Sequence, residues 1–313
     1  MEPRNRGSRD PSAARTRRPG APRLGAHMSI AGGVQQALLR GKQAGCEAIQ
    51  IFSKNSNQWK AAALSAEEIH HFRATGRELG IDPAMVHASY LINLASPEAE
   101  PWRKSVDAFT VEMERAEALG FSSLVVHPGS HLGSGERIGL AKVTRALNAI
   151  LARTAGFRVK VLLELTAGQG SCVGHRFEQM GRMLEGVRQS ERAGLCFDTC
   201  HVFAAGYDLR SVEGYDETMA ALDKAVGLER VRAFHLNDSK KGLGCRVDRH
   251  EHIGKGEIGL RAFECLVNDP RFFGLPMVLE TPKGLDLKED RVNLAALRRL
   301  IRRGKPVGRR GSV

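Results

Sequence analysis

The sequence predicts an α/β protein folded as a single (β/α)8 TIM barrel. Three observations lead there. Eight strand-like runs alternate with amphipathic helical stretches in one uninterrupted series along 313 residues, an order that favours a barrel over an open doubly wound sheet. The runs are near-continuously apolar, as parallel strands covered on both faces should be. Six of them lead into a residue able to ligate a metal, and such barrels build their sites at the C-terminal ends of the strands.

Strands are expected to begin near Leu24, Glu47, Ala84, Ser122, Lys160, Gly194, Val231 and Pro276. Between and after them, helices are expected over roughly 33–44, 65–80, 102–119, 136–154, 175–189, 211–226, 259–268 and 288–303. Ser65 and Glu68 have the spacing of a capping box at the start of the second helix. Gly45, Gly80, Gly120, Gly156 and Gly227 stand where helices should stop. No GxGxxG or P-loop motif opens the first helix, and Gly32-Gly33 alone is a weak signal. Residues 1–23 are rich in Arg, Pro, Gly, Ser and Ala without apolar periodicity, so a disordered basic tail is expected there. The barrel domain is expected to occupy 24–303, with a short basic tail over 304–313.

The net charge of +12 is unevenly placed. Residues 1–24 hold seven Arg against Glu2 and Asp10, and residues 298–313 hold six Arg and Lys305 with no acid. The body between them is neutral, so the basic balance belongs to the ends. Solvated ends are the simpler reading, and weak, salt-sensitive phosphate-binding arms the sharper one. No apolar stretch is long enough to span a bilayer, and no apolar region follows the basic N-terminus as in a secretory signal. The six cysteines (Cys46, Cys172, Cys196, Cys200, Cys245, Cys265) form no CxxC pair. A reducing, cytoplasmic setting and a monomer are expected, with no membrane partner.

The chemistry lies at the ends of the runs. Ala84-Met85-Val86-His87, Leu124-Val125-Val126-His127, Val161-Leu162-Leu163-Glu164 and Met277-Val278-Leu279-Glu280 repeat one pattern. Leu195-Cys196-Phe197-Asp198 and Val231-Arg232-Ala233-Phe234-His235 follow it, and His201, Asp248 and His250 lie just beyond. A lone strand-end histidine is more often structural than a ligand. Six strands delivering ligand types at one end is a different observation, because chance would scatter them over both ends. Nine imidazole and carboxylate donors suffice for more than one divalent metal.

Longer motifs carry a resemblance. Val86 to Ala95, His127-Pro-Gly-Ser-His131, Glu164 to Gly170, Asp198 to Asp208, His235-Leu-Asn-Asp-Ser239, Asp248-Arg-His250 and Leu279-Glu-Thr281 together resemble the endonuclease IV family of zinc-dependent apurinic/apyrimidinic endonucleases, over residues 24–303. The resemblance implies three zinc ions, with manganese as a substitute. His87 and His127 would hold one ion, which Glu164 bridges to a second held with Asp198, His235 and Glu280. His201, Asp248 and His250 would hold the third. It implies cleavage 5′ to abasic sites in duplex DNA by a metal-bridged hydroxide, leaving a 3′-hydroxyl, with Glu164 and Glu280 essential and 3′-end trimming as a further activity. Three zinc ions on a neutral body would leave about six positive charges at the mouth, enough to attract DNA without a basic patch. Tyr90 matches a lesion-inserting position. Lys54, Asn57 and Gln58 match a DNA-probing loop. Asn57 stands where some members have arginine, and Leu165 where asparagine commonly follows the bridging glutamate.

Two other readings use the same residues. A metal-dependent sugar isomerase or epimerase shares the barrel, but it needs fewer metals and a closed small pocket. A catalytically dead damage-binding protein would use zinc structurally, against which the intact ligand set counts.

Overall fold

Each expected strand forms, and together they close a ring. The computed structural model describes residues 21–302. The tails expected at 1–23 and 304–313 fall almost wholly outside the described residues. In chain order the elements are β1 (Arg23–His27), α1 (Gln35–Ala44), β2 (Ala48–Phe52), α2 (Ala66–Leu79), β3 (Asp82–His87), α3 (Ala99–Leu119), β4 (Ser123–Val126), α4 (Glu136–Arg153), β5 (Lys160–Glu164) and α5 (Phe177–Glu185). There follow β6 (Ala193–Asp198), α6 (Thr199–Ala205), α7 (Val212–Ala225), β7 (Val231–His235), β8 (Asp238–Ser239), β9 (His250–Glu251), α8 (Leu260–Val267), β10 (Pro276–Leu279) and α9 (Lys288–Leu300). The barrel runs β1-β10-β7-β6-β5-β4-β3-β2 and closes on itself. Every pair in it is parallel.

Two cores follow from strand alternation. One side of each strand meets the helices: Ile51, Val86, Val126, Leu163, Phe197, Phe234 and Leu279 join the large outer core. The other side fills the barrel with Ala48, Ala84, Met85, Val125, Leu162, Cys196, Ala233 and Val278. These are small or aliphatic side chains together with the flexible Met85, so the interior is packed and the cavity begins only above this layer.

The helix boundaries agree with the sequence reading at the caps that have a mechanism. Ser65 and Glu68 complete the capping box of α2. Gly45, Gly80 and Gly120 cap α1, α2 and α3 in the left-handed region. Gly156 and Gly227 lie beyond the caps, which fall at Thr154 and Val226. Three short elements were not expected. The short helix α6 begins directly at the end of β6, and β8 pairs antiparallel with β9 to lay a small ribbon over the barrel mouth.

Candidate metal centre

The ligand types share one layer because each lies two residues beyond an interior residue. Met85, Val125, Leu162, Cys196, Ala233 and Val278 point inward. The next inward positions are therefore His87, His127, Glu164, Asp198, His235 and Glu280. On β1 and β2 the same count gives His27 and Gln50. Eight strands thus deliver a ring of eight polar side chains to one end.

Glu164 sits at the centre and is fully buried. Its Oε2 lies 3.1 Å from His87 Nε2 and 3.0 Å from His127 Nε2. Its Oε1 lies 2.9 Å from His235 Nδ1 and 3.2 Å from His201 Nδ1. Glu280 Oε2 approaches His235 Nδ1 at 3.2 Å. Asp248 stands 3.2 Å from both His201 Nε2 and His250 Nε2. Three groups able to hold a cation result: His87, His127 and Glu164; Glu164, Asp198, His235 and Glu280; His201, Asp248 and His250. Within each, the donor atoms lie within 4.8 Å of one another. A fourth combination joins Cys200 to Asp198 and His250.

The outer partners of these rings fix which nitrogen faces inward. His87 Nδ1 donates to the Ala88 carbonyl at 2.8 Å, and His201 Nδ1 to the Leu165 carbonyl at 2.9 Å. His250 Nδ1 donates to the Glu280 carbonyl, and His235 Nε2 to Gln50 Oε1 at 2.8 Å. Each ring therefore presents its other nitrogen to the carboxylates, the arrangement that orients ligating histidines. His201 Nε2 and His250 Nε2 are buried without a hydrogen bond of good geometry. Buried nitrogens left this way among carboxylates fit a cation.

Charge reinforces the fit. Burial disfavours charge on the rings, but the carboxylates outweigh it. Asp198, Asp248 and Glu164 raise His201 well above its usual value. Asp248, then Asp198, bring His250 to about 9. Burial likewise opposes ionisation of Glu280, and His235 nonetheless holds it at about 2. In metal-free protein these imidazoles carry protons at pH 7. Their contribution to stability is complete below about pH 6.5 and is lost as pH rises through the raised folded values. A metal needs the neutral ring, so a divalent cation entering the centre must displace those protons. Titrating zinc into stripped protein at pH 7, in buffers of different ionisation enthalpy, is expected to show net proton release that shrinks above about pH 9.

Several loops frame the centre. Asp198 caps α6 by accepting from His201 N at 2.9 Å, which brings His201 back over the barrel. Gly129 follows His127-Pro128 at φ 107°, and any Cβ there would fall 2.1 Å from Asn93 Oδ1. That side chain clamps the turn through Ser130 N. An open cleft of about 450 Å³ runs from His127, His201 and Asp248 along the 166–172 loop. Tyr90 stands at the rim, 62% exposed, its ring against Phe52 and His87. Asn57 and Gln58 are exposed on the loop after β2. Lys54, on the same loop, turns inward. It is 7% exposed, and its ammonium meets Glu112 at 3.4 Å and the Gln58 carbonyl at 2.5 Å. This placement lets it support the loop from within.

Comparison with known proteins follows the same line. A family model described as a xylose isomerase-like TIM barrel matches residues 38–302. A protein from Chloroflexus aggregans named probable endonuclease 4 is 55% identical over 281 residues, covering 90% of this chain and 98% of that protein. The chain belongs to the endonuclease IV family. A protein of the same name from Geobacter sulfurreducens is 50% identical, covering 90% of this chain and 95% of its own length. The crystal structure of endonuclease IV from Thermus thermophilus superposes with a TM-score of 0.78 at 41% identity, covering 89% and 98% of the two chains. A D-tagatose 3-epimerase-like protein reaches a TM-score of 0.70 at 18% identity, which is a likeness of fold alone.

Leu165 is the departure from the endonuclease IV pattern that touches the centre. Its side chain is buried, and its carbonyl receives His201 Nδ1. That bond comes from the main chain and survives any side chain at the position. Sequence reasoning missed Gln50 and Asn237. Gln50 Nε2 donates to Glu280 Oε1 at 2.6 Å and to His27 Nδ1 at 3.0 Å, while its Oε1 holds His235. Burial keeps the His27 imidazole down at about 3, so it accepts this bond as a neutral ring. Asn237 Nδ2 donates to Asp198 Oδ2 at 2.7 Å, and its Oδ1 accepts from Glu280 N. Gln50→Leu is expected to weaken divalent-metal binding about 10–100-fold with the barrel intact, as read by chelator competition and circular dichroism. Among the histidines without a ligand role, His131 takes Gly135 N and His252 faces Asn293, both as loop contacts.

Proposed function

We propose that this chain is a zinc-dependent endonuclease that hydrolyses the phosphodiester bond 5′ to abasic sites in duplex DNA, leaving a 3′-hydroxyl and a 5′-deoxyribose phosphate. One observation carries the reading. Nine donors gather at the barrel mouth in three groups, two of which share Glu164. Relatives named probable endonuclease 4 support a DNA substrate.

Five imidazoles and four carboxylates make a borderline donor set that suits zinc and tolerates manganese. Bound divalent ions would supply charge neutralisation at the phosphate and activation of water. The protein's own residues do the rest. Glu164 offers one oxygen to each side of the centre, so it sets the spacing between two groups. Gln50 and Asn237 hold Glu280 and Asp198 in place from behind. The carbonyls of Ala88, Leu165 and Glu280 fix the rings of His87, His201 and His250. In the metal-free centre the protonated imidazoles offset the four carboxylates, so the net positive charge that attracts a phosphodiester would come with the cations. Tyr90, raised on Phe52, provides an aromatic surface where a missing base leaves room.

The ends of the product test this reading. A duplex with one abasic site, nicked by the zinc-loaded protein, is expected to yield a primer that a DNA polymerase extends directly. A nick on the 3′ side, leaving an end that blocks extension, would contradict it.

A further inference from the structure

We propose that Glu112 is a positioning residue, one buried carboxylate on α3 that locks together the two loops presented to DNA. The inference rests on the DNA reading above. A carboxylate that is 1% exposed in a helix interior is costly unless it is used. Its Oε1 and Oε2 accept from Ser89 N at 3.2 and 3.3 Å, on the loop that carries Tyr90. Its Oε1 also pairs with Lys54 Nζ at 3.4 Å, and Lys54 donates to the Gln58 carbonyl. The Ser89 hydroxyl then donates to the Ser56 carbonyl at 2.5 Å. These contacts close a ring, from Glu112 through Lys54 to the loop after β2, across to Ser89, and back to Glu112.

The same helix supports the loop on either side. Arg115 donates to the carbonyls of Ser53 and Ala62. Lys104 lies over the Trp59 ring at 4.3 Å. The buried ends of the two loops are thus held from below, while Asn57, Gln58 and Tyr90 stay exposed above. The lock keeps these side chains in one arrangement before DNA arrives. Without it, binding must order both loops, a cost that falls on affinity and not on the chemical step.

The test uses the zinc-loaded enzyme and Glu112→Gln. In the absence of DNA, amides of residues 54–59 and 88–91 are expected to exchange faster together, with barrel-strand amides unchanged. On an abasic duplex, KM is expected to rise about tenfold, and kcat to change by less than about threefold. If Glu112→Gln fails to fold because it buries an uncompensated ammonium, the Glu112→Gln/Lys54→Met pair removes both charges and must still show the raised KM. Wild-type exchange in both loops, loosening of one loop alone, or a fall in kcat at unchanged KM would each overturn the lock. Coupled loosening in a protein whose wild type never nicks abasic DNA would overturn the DNA reading and leave the lock supported.

Discussion

Glu164→Gln is expected to abolish incision of abasic-site DNA, by about 1,000-fold or more, in a protein that still folds. The reason is geometric. Both oxygens of Glu164 are engaged, one toward His87 and His127 and the other toward His235 and His201. Glutamine keeps one acceptor and turns two N–H donors toward positions that need a lone pair. It also removes the charge shared by two of the three groups. The fold does not depend on that charge, because the packed layer beneath the centre and the helix-facing core are apolar. Circular dichroism should match the wild type, bound zinc should fall, and nicking should vanish. A folded Glu164→Gln variant that nicks at the wild-type rate would remove this residue from the centre.

Gly25→Ala carries the largest expected loss of stability. Gly25 is the inward residue of β1, beside β2, and a Cβ there would lie 1.9 Å from the Ala48 carbonyl oxygen. That neighbour is backbone and cannot rotate away. The two strands must part or β1 must shift, and either breaks parallel ladder bonds at the seam where the chain begins its circuit. A cost of about 3 kcal/mol is expected, which lowers the melting temperature by roughly 5–10 °C. The strands displaced are those that carry His27 and Gln50, so zinc affinity should fall as well. A thermal melt of Gly25→Ala coinciding with the wild type would show that the barrel closes with more slack than this contact allows.

The sequence carried the barrel and most of the centre because both obey one period. An apolar residue points inward, and two residues later a polar one does so at the strand end, as at Leu162 and Glu164 or Ala233 and His235. Six strands announced themselves this way. Gln50 did not, since a glutamine inside Ala48-Ile49-Gln50-Ile51 carries no ligand signal, although the same count places it in the ring. The short helix α6 was hidden because Asp198 is at once a strand-end donor and a helix cap. The burial of Lys54 was not legible, because its partner lies 58 positions further along the chain. A trace of that partner existed. Phe109, Glu112, Met113 and Ala116 fall on one helical stripe, which places Glu112 on the buried face.

Incision of DNA beside an abasic site is expected to depend on three metal groups at the barrel mouth. That dependence is tested most directly by measuring metal content and nicking on one preparation without added magnesium: as purified, after prolonged chelation, and after zinc is returned. Three zinc ions per chain and nicking 5′ to the lesion are expected, both lost on stripping and restored together. A folded protein that carries its metals and never nicks would contradict this expectation.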